Sequence, residues 1–71
     1  MAHQFDVIIE QDAEGYFVAS VPALPGCHTQ ATSLDVLMER IREAIELCLD
    51  VEGPPPETLN FIGVQRITVA A

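Results

Sequence analysis

The sequence predicts an α+β fold, a small three- or four-stranded, mainly antiparallel sheet with one helix on one face, in the order β-β-β-α-β. Three observations predict it. Short alternating or β-branched runs flank turn residues near the start of the chain. One long segment, Leu34 to about Val51, repeats its apolar residues at helical spacing. A proline break and a last β-branched run follow it.

The first strand is "HQFDVIIE", with Phe5, Val7 and Ile9 on one face and Gln4, Asp6 and Glu10 on the other, Ile8 alone spoiling the alternation. "QDAEG" is turn chemistry, and Gly15 can take a positive φ there, which makes "YFVASVP" the antiparallel partner of the first strand. That partner is apolar on both faces, Phe17, Ala19 and Val21 on one and Tyr16 and Val18 on the other. One helix cannot cover both. Pro22, Pro25 and Gly26 end the strand, and "CHTQA" is long enough for a short third one.

Thr32 or Ser33 is a natural N-cap, and Asp35 suits the positive end of the helix dipole. At about 100° per residue, Leu37, Met38, Ile41, Ala44, Ile45 and Cys48 fall within an arc about 120° wide. Asp35, Glu39, Glu43, Glu46 and Asp50 occupy an opposite arc about 80° wide. Gly53 fits a C-cap, "PPP" at 54 to 56 forbids continuation, and "NFIGVQRITV" supplies the final strand.

Seventy-one residues make one domain, residues 1–71, with a marginal core unless another subunit covers part of it. With 49% hydrophobic and 20% charged residues the chain folds. No lysine and three arginines against eleven carboxylates give a formal net charge of -8. Such a surface repels a phosphate backbone, so direct nucleic-acid binding is not expected, and it attracts a basic protein. The apolar segments are interrupted by Asp6, Glu10, Pro22 and Pro25, too soon for a membrane span, and no secretory leader pattern is present. A soluble, cytoplasmic protein with reduced thiols is expected.

Cys27 beside His28 looks like a thiolate and its base, but neighbours on a strand point to opposite faces and cannot form a dyad. Cys27 after the Pro-Gly turn and Cys48 on the apolar arc read as core residues. His3, Cys27 and His28 lack the short paired spacings of a metal site, and the four glycines are isolated, so no cofactor or phosphate cradle is expected. The last strand carries no carboxylate for a two-metal nuclease, and catalytic residues are not expected. The acidic stripe Asp35, Glu39, Glu43, Glu46 and Asp50 is ordinarily a solvated, solubilising face; its sharper reading is a landing strip for a basic partner. Tyr16 and Val18 on the second strand, with Val36 and Leu47 flanking the helix's buried arc, are the expected homo-oligomer surface.

The stretch "GYFVASVPALPGC", continuing as "HTQATSL" into an amphipathic helix that ends near "LDVEG", resembles the HicB-like antitoxins of type II toxin-antitoxin systems, over Phe5 to Gly53. The resemblance implies a cut-down ribonuclease H-like fold and a non-enzymatic protein that neutralises HicA, a small basic mRNA-cleaving toxin, by covering it. It also makes "LPGC" a turn-and-core motif. Two departures stand out. Ala31 and Thr32 replace the Gly and acidic or polar residue common before the helix cap, and the helix-turn-helix or ribbon-helix-helix domain of many members does not follow Ala71, so operator binding is not carried over. From other classes, the competing readings are an orphan dimeric structural or ligand-binding module without a toxin and, third, a residual metal-dependent nuclease.

Overall fold

A computed structural model describes residues 3–55 and 60–70 of the chain. Three strands, β1 (Ile8–Gln11), β2 (Phe17–Ser20) and β3 (His28–Ala31), precede one helix, α1 (Leu34–Glu52). The sheet is antiparallel in the order β1-β2-β3, so the α+β class holds in its three-stranded form.

The hairpin between β1 and β2 closes through Asp12. Its Oδ1 accepts from the backbone N–H groups of Glu14 and Tyr16, both at 2.9 Å, and Gly15 turns the chain at φ 91°. An Asp that hydrogen-bonds the backbone two residues on is the usual way this side chain stabilises a turn. Register places Ile9 opposite Ala19 and Gln11 opposite Phe17, with Thr29 and Ala31 across from the same two β2 residues.

Strand β1 is shorter than its alternating pattern, because its partner runs out. The β1–β2 register, continued outward, would set residues 6 and 7 against Pro22 and Val21. Pro22, whose backbone would face β1 there, has no N–H to give, so the ladder stops. Phe5 and Val7 nevertheless pack against the core on the face of Ile9, as the alternation requires.

The core lies between the sheet and the helix and is built from Ala19, Val21, Leu24, Cys27, Ala31, Leu37 and Ile41. Phe17, Ala44, Ile45, Cys48 and Leu49 pack around it. Only the Phe17/Ala19/Val21 side of β2 is covered. Tyr16 and Val18 are half-buried on the alternate side, away from α1.

Among the described residues the expected final strand does not form. Residues 60–70 carry no strand pairing, and Ile62, Val64, Ile67 and Val69 are 93%, 75%, 77% and 78% exposed. β-branched residues favour a strand only where a neighbour supplies backbone hydrogen bonds and a packing surface. The third proline of "PPP", at position 56, lies outside the described residues.

Candidate functional site

The helix is held at both ends by local chemistry. Ser33 is the N-cap, extended at φ -136° and ψ 154°, with its Oγ accepting from the Val36 N–H at 3.3 Å. Gly53 ends it at φ 74°, its N–H donating to the Leu49 carbonyl at 2.8 Å. Leu37 and Ile41 are buried against the sheet. That anchorage turns the opposite face outward.

Asp35, Glu39, Glu43, Glu46 and Asp50 are all exposed there. Along the helix, Asp35–Glu39, Glu39–Glu43, Glu43–Glu46 and Glu46–Asp50 are like-charge neighbours three or four residues apart, and each such pair destabilises a helix by a few tenths of a kcal/mol. Arg42 relieves part of this, lying three residues after Glu39 and four before Glu46. Asp35 in the first turn is favourably placed, but the last turn holds no basic residue to complement the negative end of the helix. The stripe is therefore only partly relieved by Arg42, and a cationic partner would relieve it further.

Met38, Glu39, Arg42, Glu43 and Glu46 line a shallow open groove on this face. Met38 was expected in the buried arc, yet it is 41% exposed. It sits at the rim of that arc, so it gives the acidic surface an apolar edge. Arg40 is engaged elsewhere: its Nη1 donates to the Gln30 carbonyl on β3 at 2.9 Å. That leaves Arg42 as the arginine within the stripe.

The four residues expected to form an oligomer surface do not come together. Tyr16 and Val18 lie on the sheet side away from α1, whereas Val36 and Leu47 project from the helix, 39% and 63% exposed.

Cys27 and His28 diverge. Cys27 is 3% exposed in the core and His28 is exposed on β3. The loop between them and β2 is closed by backbone hydrogen bonds, Leu24 to the Val21 carbonyl at 3.1 Å and Cys27 to the Leu24 carbonyl at 2.9 Å, with Gly26 at φ 82°. Burial, followed by the neighbouring Cys48 side chain, pushes the Cys27 thiol up to about 11. Such a thiol stays protonated and is a poor nucleophile at neutral pH. The proximity of Cys27 and Cys48, both free thiols, was not legible from their spacing. Among the described residues no group of three or more His, Cys, Asp or Glu side chains is placed to hold a metal ion, and no helix is long and apolar enough to cross a membrane.

A family model described as HicB_like antitoxin of bacterial toxin-antitoxin system matches residues 5–61. The chain is also similar along nearly its whole length to small proteins named UPF0150. One from Archaeoglobus fulgidus is 58% identical over 66 residues, covering 93% of this chain and 94% of the relative. One from Synechocystis is 44% identical over 66 residues with the same coverage. A third, from Thermoplasma acidophilum, is 37% identical over 68 residues, 96% of this chain and 99% of the relative. The match spans the hairpin, the "LPGC" loop and the whole acidic helix, and by it the chain belongs to the HicB-like antitoxin family.

Proposed function

We propose that this protein is an antitoxin that binds and neutralises a small basic, HicA-type mRNA-cleaving toxin, without catalysis of its own. Family membership carries the reading, and the acidic face of α1 is the feature of this chain that fits it. The stripe Asp35, Glu39, Glu43, Glu46 and Asp50 is rigidly presented, self-repelling and edged by Met38, so a basic surface laid on it gains charge complementarity and some apolar contact. The same face repels RNA. A toxin held there loses its substrate as well as its free surface.

The test is co-purification of this chain with the product of the neighbouring reading frame, followed by RNA cleavage with and without the chain. Stoichiometric capture of a small basic protein and loss of its cleavage are expected. A neighbour that is not basic, does not bind, or cleaves RNA equally well in the presence of this chain returns the protein to the reading of an orphan dimeric module.

A further inference from the structure

The chain has two cysteines, Cys27 just before β3 and Cys48 on α1, and the acidic stripe uses neither. The topology brings them together. Only Thr32 and Ser33 link β3 to α1, so the helix turns back over the strand it follows, and Arg40 reaches the Gln30 carbonyl at 2.9 Å. From that bond the helix rises about 12 Å to Cys48, and the strand covers about 10 Å to Cys27. The two thiols arrive at the same level. Cys27, Thr29 and Ala31 alternate towards the helix while His28 and Gln30 are exposed, and Cys48 continues the packed stripe of Leu37, Ile41 and Ala44. The Cys48 side chain lies beside Cys27, against the core that contains it.

Their access to solvent differs. Cys27 is 3% exposed, whereas Cys48 is half-buried and open to a small solute. We infer that Cys27 and Cys48 are a reversible redox pair: a hydroperoxide oxidises Cys48, and Cys27 closes a disulfide with it that fastens the second half of α1 to the loop before β3. In the first step the Cys48 sulfur takes an oxygen from the peroxide, an S–O bond forming as the O–O bond breaks, and Cys48 becomes a sulfenic acid. The rest of the peroxide leaves as water or an alcohol. In the second step the Cys27 sulfur displaces the hydroxyl, an S–S bond forming as the S–O bond breaks, and the hydroxyl leaves as water with the Cys27 proton. Two thiols are oxidised and one peroxide is reduced. A dithiol reductant reverses the change by two thiol-disulfide exchanges and leaves as its own disulfide.

The cross-link falls where the helix is held least. Leu37 and Ile41 are the buried residues of α1, so beyond Ile41 half-buried side chains such as Ala44, Ile45, Cys48 and Leu49 do the packing. Its last turn has no basic residue, and Asp50 and Glu52 lie at the negative end of the helix. The Arg40–Gln30 bond pins the first half; a Cys27–Cys48 disulfide would pin the second. Closing that loop also removes freedom from the unfolded chain, so the oxidised protein resists unfolding more than the reduced one. The inference is independent of the antitoxin reading, because it concerns how long the fold lasts and leaves the acidic stripe free.

The full chain, reduced and then treated with hydrogen peroxide, supplies the test. Trypsin cuts at Arg40 and Arg42, between the two cysteines, so an unreduced digest should contain the Cys27 and Cys48 peptides joined, from protein that runs as a single chain on a non-reducing gel. Dithiothreitol should part them. In urea the unfolding equilibrium constant of the oxidised protein should be at least tenfold lower, and reduction should restore it. Cys48→Ser treated alike should show neither change, which also accounts for any oxidation of the two methionines. Should that variant not fold, the joined peptides and their release by dithiothreitol in the unsubstituted protein decide. Cys48 carried on to a sulfinic acid beside a reduced Cys27, a disulfide between two chains, or a cross-link that leaves the unfolding equilibrium unchanged overturns the inference.

Discussion

Arg40 on α1 donates from Nη1 to the backbone carbonyl of Gln30 on β3, at 2.9 Å. The contact spans ten residues and pins the start of the helix to the far edge of the sheet. It also removes one of the three arginines from the acidic stripe, so the position that holds the fold together sharpens the field on the opposite face. Replacing it by Ala should cost on the order of half a kcal/mol, the low end for a solvent-accessible charge-assisted bond. Urea unfolding checks this, with Arg42→Ala as the control that leaves the β3 contact intact. Equal losses in the two variants would mean that the bond to Gln30 contributes nothing.

Ser33, the N-cap of the same helix, offers a second test. Its Oγ satisfies the Val36 N–H, and its carbonyl accepts from the Leu37 N–H at 3.0 Å. Ser33→Ala should lower stability by about 1 kcal/mol, while Ser33→Asp should retain most of it, since Asp caps as well and favours the helix dipole. In a chain this short the Ala variant should show a visibly lower urea midpoint.

The thiol of Cys27 makes stability depend on pH in the alkaline range. Unfolded, it titrates near 9.0; folded, burial first and then Cys48 hold it protonated up to about 11. Between those values the unfolded state has released a proton that the folded state keeps, so stability is full below about 9 and falls as pH rises towards 11. The loss is on the order of 2 kcal/mol at the upper end. Denaturant midpoints measured from pH 8 to 11 should fall more steeply for the unsubstituted protein than for Cys27→Ala, and thiol alkylation at neutral pH should be slow until the chain unfolds.

These cases mark what the sequence carries and what it does not. Ser33, Gly53, Gly15 and the arc from Leu37 to Cys48 are read correctly because caps, turns and helical faces are local, decided within a few residues of one another. The terminal run "NFIGVQRITV" is misread for the opposite reason. Its residue types state a capacity for strand, but a strand exists only when it pairs with a neighbour, and among the described residues this run pairs with none. Met38, the Arg40–Gln30 bond and the Cys27–Cys48 contact depend on how the helix packs on distant residues, which spacing along one helix cannot reveal. At the candidate site, the five carboxylates were legible as one exposed stripe. The separation of Tyr16 and Val18 from Val36 and Leu47 was not, because it needs the face of the sheet on which the helix lands.

The acidic stripe gives the prediction closest to function. Converting Glu39, Glu43 and Glu46 together to Gln removes three charges from the groove that also contains Met38 and Arg42, with no buried group disturbed. Fold stability should hold or rise slightly, because Glu39–Glu43 and Glu43–Glu46 repel each other along the helix. Binding to a basic toxin should respond differently. Exposed charges act through a field screened over about 8 Å at physiological ionic strength, so they speed encounter more than they prolong the complex. The triple variant should associate several-fold more slowly at low salt, and its association rate should change much less with added salt than that of the unsubstituted protein. Stopped-flow association with the co-purified partner at two salt concentrations reads both quantities. Unchanged rates and an unchanged salt slope would remove α1 from the binding surface and leave the sheet side with Tyr16 and Val18, together with the terminal segment, as the surfaces to test next.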